Sequence, residues 1–493
     1  MNSSVLYDYT ARSRTNSARF TASTLAVLWA VLLCSFLLLF TPESFLDLSP
    51  DAAVRLTLVV LIILSVTGWQ RVRKMGENPW ISPVSLYIPI VLGLQTTLAF
   101  LVYKYSAYLY TTLGLGDYTI YERTKIYFPK ACTLILLGAF GVFIGLNISL
   151  RFLTKFIPPL NWSIDEKNFS SRAVLLALLS AGSFYLTIRP GIVPLSMQQL
   201  LYSAGQIGVV LYIASLIQIL ANTKYKKLWT YVLIIYIASS VPFILFGSRS
   251  AMVFPIIFWV WTYLAVKGKI NKKILIGMVS FFFFFASIYP FITLYKSGIL
   301  GKQGTMTEIF QTAVSSVSAD KESILFPIIL IMESQVLSGS NVIHYVQQFP
   351  DSFPYLKGES FYVVLSELVP RFLYPEKRSA GEYIMRIVYD TGFGHEEYEV
   401  KSSMFIDAVS EFYINFGLLG VFTLAILQGM YLQTKYDWLI RRSNFKIGFP
   451  IYAAAFISPA AFTHLFVLDT KMLAVWIPAL WFVSRSTRRR GEV

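Results

Sequence analysis

Asp407, Glu411 and Asn415 stand four residues apart at the start of a long apolar stretch late in the chain. That interval places all three on one face of a helix. In a membrane such a face turns toward protein or water rather than lipid. A buried carboxylate there can be tuned to take up a proton near neutral pH. Capping of a helix start explains Asp407 well enough. Glu411 and Asn415 lie a turn or more deeper, where capping explains less. Upstream, Pro370-Arg371-Phe372-Leu373-Tyr374-Pro375-Glu376-Lys377-Arg378 sets three cations around two prolines. The prolines fix φ and stop a helix from running through. Arg371, Lys377 and Arg378 then project from a stiff segment, a form suited to a phosphate-rich anion. The plainer reading is a solvated turn with ion pairs to Glu367 or Glu376. Further upstream, Gly247-Ser248-Arg249-Ser250 joins two apolar runs by a turn of a few residues. Arg249 is thereby held at the membrane boundary, where a charge is costly and tends to be functional; the plainer reading is snorkelling to headgroups. His395, in Gly394-His395-Glu396-Glu397, is a candidate acid or base, or a surface histidine. His464 and Arg189 also fall near the outer edge of apolar runs, with plain readings as a packed side chain and a turn.

The elements that must position these residues are membrane helices. The 493 residues are 55% hydrophobic and 14% charged, with a mean hydropathy of +0.59. A soluble domain of this length carries far more charge. The apolar runs are continuous rather than alternating, which selects helices over a barrel. The expected fold is all-α and polytopic, with about twelve spans of about 20 residues each. They fall at roughly 22–40, 54–69, 84–103, 131–150, 172–187, 200–221, 229–246, 251–266, 274–294, 403–428, 449–465 and 472–484. The run Thr21–Phe40 is too long for a signal-peptide core, and Pro42-Glu43 follows instead of a small-residue cleavage site.

With the amino terminus inside, the cytoplasmic segments hold 25 of the 42 basic residues and only 6 of the 27 acidic ones. That asymmetry orients the chain with both termini in the cytoplasm. It also explains the net charge of +15 without a nucleic-acid partner. Three regions follow: 1–294 with nine spans, 295–402 as one large outer loop, and 403–493 with three spans and a tail. The loop has helix-like stretches at Glu308–Ser318, Asn341–Phe349 and Ala380–Tyr389, and apolar pieces too short to span, such as Ile324–Met332. It is expected to form a helical cap on the outer membrane face, part of it re-entrant. The mid-membrane stretches look nearly free of charge. Cys34 and Cys132 make no disulfide framework, and His344, His395 and His464 stand apart, so no metal or cofactor is expected.

Taken in chain order, Gly-Ser-Arg-Ser at 247–250, Pro-Arg-x-x-x-Pro-x-Lys at 370–377 and Glu-x-Tyr-x-Asn-Phe-Gly at 411–417 form a set. This set, with many helices and one large late loop, resembles the bacterial oligosaccharide repeat-unit polymerases, the Wzy-type O-antigen polymerases. Arg378 stands where that family often has proline, and Ser410 where glycine often precedes the glutamate. The resemblance implies a GT-C-like membrane glycosyltransferase of the bacterial inner membrane, working without a metal. Its substrate would be an oligosaccharide on undecaprenyl diphosphate, and chain-length regulator and flippase proteins would be its partners. The growing glycan would leave its lipid diphosphate and move onto a sugar hydroxyl of a new lipid-linked unit at the periplasmic face. Arg249, Arg371, Lys377 and Arg378 would hold the diphosphate. Glu411, with Asp407 and His395 as the other candidates, would handle the proton. Asn415 and Tyr413 would orient the acceptor. Two other readings stay open: an O-antigen ligase using the same donor with a different acceptor, and a flippase or transporter of lipid-linked oligosaccharide. A transporter should carry charge through the full bilayer depth, which distinguishes it from chemistry gathered at the outer face.

Overall fold

The computed structural model describes residues 49–93, 127–148, 151–188 except 163, 195–245, 249–269, 341–369, 406–456 and 462–484, with isolated positions between 271 and 387. Among these residues every regular element is a helix. In chain order they are α1 (Pro50–Lys74), α2 (Pro83–Tyr87), α3 (Phe128–Asn147), α4 (Arg151–Phe156), α5 (Glu166–Ile188), α6 (Leu195–Leu220) and α7 (Lys226–Leu245). Then come α8 (Arg249–Lys267), α9 (Asn341–Gln348), α10 (Glu359–Ser366), α11 (Ala408–Tyr436), α12 (Phe445–Phe456) and α13 (Phe462–Ser484). α2 widens into a π-helical stretch at Ile88–Gly93, and α11 into another at Asp437–Arg442.

Five stretches are long and apolar enough to cross a membrane: Ala52–Lys74, Phe128–Asn147, Glu166–Leu186, Leu201–Leu220 and Ala408–Arg442. Exposed apolar side chains line the outside of several helices, for example Val59, Ile62 and Ile63 on α1 and Leu175, Leu178 and Leu179 on α5. Lipid is the solvent that tolerates such faces, and the protein is an all-α, membrane-embedded one.

The core is organised around α3 and α11, which lie against each other over most of their length. Their contact is made by small residues. A methyl group at Gly145 would collide with the Ile426 carbonyl oxygen, and one at Gly429 with the Val142 carbonyl oxygen. At Gly141 it would lie 2.7 Å from the Phe422 carbonyl and 2.8 Å from the Ala425 methyl. Lipid chains are as apolar as leucine, so membrane helices gain from close backbone approach rather than from hiding apolar surface. α1 packs on the other side of α3, while α5, α6 and α7 form a second group reached through α12 and α13.

Span edges agree with the sequence pattern to within a few residues at α3 and α8. Several helices outrun the expected spans, α1 and α5 among them, and at α11 and α13 the difference changes what lies inside. α11 runs past 428 to Tyr436, and α13 starts at Phe462 rather than 472. In both, polar side chains that looked like helix ends are satisfied inside the protein. Gln428 donates to the Tyr87 hydroxyl at 2.7 Å, and Lys435 pairs with Asp469 at 2.6 Å. Lys471 pairs with Glu367 at 2.6 Å. The expectation of nearly charge-free mid-membrane stretches is therefore corrected. Lys435 belongs to Ala408–Arg442, one of the stretches long and apolar enough to cross, and its charge and that of Asp469 are both buried there. The loop helix expected at 341–349 is α9, and α10 is a helix the sequence did not signal. The stretches 22–40, 104–126, 309–340 and 388–405 lie outside the described residues, as do most of 274–294 and 380–387.

Gly145→Ala and Gly429→Ala should each lower stability by about 1–3 kcal/mol through overpacking. Gly182→Ala on α5, where a methyl group meets nothing within 4 Å, should be neutral. Thermal midpoints of the three variants in detergent check this.

Candidate functional site

The three residues spaced four apart lie one above another on the first turns of α11, and all three are buried. Asp407 is the N-cap. Its carboxylate accepts from Ser410 N at 3.0 Å and from the Ser410 hydroxyl at 2.5 Å. This satisfies one of the free amides that every helix start exposes and lets the carboxylate meet the positive end of the helix dipole. Glu411 follows one turn later and is 2% exposed. Tyr413 and Asn415 are as fully enclosed. The whole turn is thus removed from bulk water, as the shared face required.

The helix then breaks. Gly417 has φ 65° and ψ −151°, a conformation open to glycine and costly for other residues. A side chain there would also meet the Tyr355 ring at 3.0 Å. The break frees the carbonyls of the preceding turn, and a segment of the large loop takes them. Leu356 N donates to Ile414 O at 2.9 Å, and Lys357 N to Asn415 O at 3.1 Å. The Asn415 side chain completes the junction. Its oxygen accepts from Gly358 N at 3.0 Å, and its amide nitrogen donates to the Ser360 hydroxyl at 2.8 Å and to Glu411 O at 2.7 Å. Asn415 therefore ties the acidic turn to the loop. The expectation that it orients a substrate finds both ends of its amide engaged by protein.

Tyr413 donates to Phe349 O at 2.8 Å and stands edge-on to Tyr355. Lys130, from the first turn of α3, places its ammonium 5.8 Å from the centre of the Tyr413 ring. This outward cation at the acidic turn was missed in the sequence, where it reads as the edge of a loop. Tyr345 on α9 is buried close by; burial, and after it the charge of Asp407, push its phenol up. Asp407 also borders a void of about 10 Å³, lined in addition by Tyr87, Phe412 and Gln428, room for one water at most.

Arg249 is the first residue of α8. A glycine and a serine just before it in the chain end the apolar run of α7. The remaining expected residues, Arg371, Lys377, Arg378 and His395, lie outside the described residues, as does Arg189. His464 lies in the first turn of α13. Glu367, a sequence-level partner for the Pro-Arg segment, pairs with Lys471 of α13.

Two polar clusters lie far from the acidic turn. Lys435 and Asp469 are 3% and 2% exposed, and Asp469 also accepts from the Tyr431 hydroxyl at 2.7 Å. Near the other end of α11, Arg441 pairs with Asp437 and, at 2.5 Å, with Glu77. Both clusters are packed between helices, and each joins elements remote in sequence. Their signal was present, since an Asp and a Lys inside otherwise apolar helices call for partners.

Residues 95–437 match a protein family described as a domain of unknown function, DUF8712, and the chain belongs to that family. No curated protein and no solved structure matches the chain.

Asn415→Ala removes an acceptor and two donors and leaves Gly358 N and Ser360 without that partner, at a cost of about 1–3 kcal/mol for each buried group left unmet. Tryptic cleavage after the exposed Lys357 should then speed up in protein that still inserts, read by limited proteolysis in membranes.

Proposed function

We propose that this protein is a membrane glycosyltransferase that polymerises oligosaccharide repeat units carried on undecaprenyl diphosphate, at the periplasmic face of the bacterial inner membrane. On this reading it has about twelve spans, both termini in the cytoplasm and a GT-C-like arrangement.

One observation carries the proposal. The Glu-x-Tyr-x-Asn-Phe-Gly segment is hydrogen-bonded through Ile414 and Asn415 to Leu356, Lys357, Gly358 and Ser360 of the large loop. The large loop whose sequence carries the Pro-Arg motif is thus anchored, at residues 356–360, on the segment that carries Glu411, and Arg249 of Gly-Ser-Arg-Ser opens another helix. A buried carboxylate at the anchor of a loop whose sequence is rich in cations suits transfer from a phosphate leaving group.

The chemistry balances with these groups alone. The acceptor hydroxyl oxygen forms a bond to the anomeric carbon of the growing glycan as the bond from that carbon to the diphosphate breaks. The hydroxyl proton passes to Glu411, and undecaprenyl diphosphate leaves with its added negative charge. Arg249 and Arg371, joined by Lys377 and Arg378, would stabilise that charge as it develops, which lowers the barrier. Guanidinium is favoured because it contacts phosphate oxygens in pairs. Lys130, beside Tyr413, adds a cation on the α3 side. Asp407 holds the turn in place through Ser410, and the segment bonded to Asn415 keeps water from the donor.

Glu411→Gln keeps size and hydrogen bonding but cannot accept a proton at neutral pH. It should cut polymer formation about 10²–10⁴-fold in protein of unchanged stability. Arg249→Ala and Arg371→Ala should each abolish polymer, and Arg249→Lys should restore little. Polysaccharide ladders from membranes with matched protein levels test this. Near-normal ladders from Glu411→Gln would remove the base role, and full activity of both alanine variants would remove the diphosphate clamp.

A further inference from the structure

α10 belongs to the large loop, expected to cap the outer membrane face with some part re-entrant, and three sets of contacts single out α10 as a part at membrane depth. At its start, Gly358 and Ser360 bond to Asn415 beside the break in α11. In its middle, Val364 packs on Val467 of α13. Just past its end, Glu367 pairs with Lys471, one turn further along α13. α10 therefore runs alongside α13 in the same direction.

The far end of α13 marks the opposite boundary. Ser484 accepts from Trp162 Nε1 at 2.5 Å and from Asp165 N at 3.2 Å. Both donors lie in the connection before α5, and Arg485, Arg488, Arg489 and Arg490 follow Ser484 in the chain. Thirteen residues separate Lys471 from Ser484, and seventeen separate Val467 from it, rises of about 20 Å and about 26 Å. Both fall short of a hydrocarbon core of about 30 Å, and any tilt of α13 lowers them further.

The outward surface of this segment agrees with that depth. Tyr362, Leu365, Leu368, Val369 and Leu373 are exposed, Tyr362 and Leu373 by 65% and 66%. Tyr362 and Leu365 stand three apart on one side of the helix, and Leu368 follows in the turn past its end. Leu419 on α11 and Phe466 on α13 are exposed as well, on the two helices that α10 touches. Its backbone is satisfied as a helix, the form a lipid-exposed segment must take.

We infer that α10 is a re-entrant helix inserted in the outer leaflet, and that the occupant of its apolar face is the hydrocarbon of membrane lipid. The inference stands apart from the glycosyltransferase reading. If that reading also holds, the same face lets a polyprenyl tail reach the Asn415 junction without leaving the bilayer.

The test uses the full chain with Cys34→Ala and Cys132→Ala, reconstituted alone in phospholipid vesicles. Single cysteines replace Tyr362, Leu365 or, as a water-facing control, Asp351, which is exposed in the preceding loop. A membrane-impermeant maleimide should react about tenfold or more slowly at 362 and 365 than at 351, because a thiol in hydrocarbon forms little thiolate. Nitroxides at 362 and 365 should relax with oxygen and not with a water-soluble nickel chelate. Labelling at 362 and 365 as fast as at 351, or relaxation by the chelate, would overturn the inference. Fast labelling in vesicles with slow labelling in native membranes would also overturn it, since another protein would then be what covers the face.

Discussion

The first turns of α11 keep their place because its backbone rests directly on that of α3. Gly141 and Gly145 on one helix face Ala425 and Gly429 on the other, and the carbonyls of each come where a side chain would otherwise stand. Between membrane helices that intimacy replaces the hydrophobic effect, which has little to offer when the solvent is itself hydrocarbon. With α11 fixed on α3, its first turn is fixed too. Lys130 in the first turn of α3 then sits over Tyr413, and the Asp407 cap lies next to Tyr345 and Tyr87.

A second constraint is the break at Gly417. A continuous helix would satisfy its own carbonyls and offer nothing to the loop. The positive φ releases Ile414 and Asn415 as acceptors, and the segment 356–360 docks on them. Bonding between backbones and one asparagine fixes the position of a loop that the spans alone would leave free. Glu367 on Lys471 adds a second anchor. Broken helices at membrane depth are tolerated where protein takes over the freed groups, and here the groups that take over come from the loop that leads to the Pro-Arg segment.

The apolar spans were legible in the sequence because lipid demands long runs of one character, and so was the common face of Asp407, Glu411 and Asn415, because 3.6 residues per turn fixes it. The joining of that face to the large loop was not legible: hydrogen bonds from Leu356, Lys357 and Gly358 are made by backbone and leave no trace in side-chain pattern. Helix ends at 428 and 472 were misplaced for a related reason. Lys435, Asp469 and Lys471 each look like an edge when read alone, and only their pairing across distant helices makes them interior. The glycines at 138, 141 and 145 show their purpose only in the contact with α11.

The central proposal is that Glu411 of α11, acting with Arg249 and Arg371, serves transfer of a glycan between lipid diphosphates. The most direct measurement is made with the purified native chain in vesicles, supplied only with undecaprenyl-diphosphate-linked repeat units. The account predicts a ladder of longer glycans that remain on lipid diphosphate, with one undecaprenyl diphosphate released for each added unit. Intact repeat units after prolonged incubation with folded protein, or their appearance on the other side of the bilayer without elongation, would contradict it.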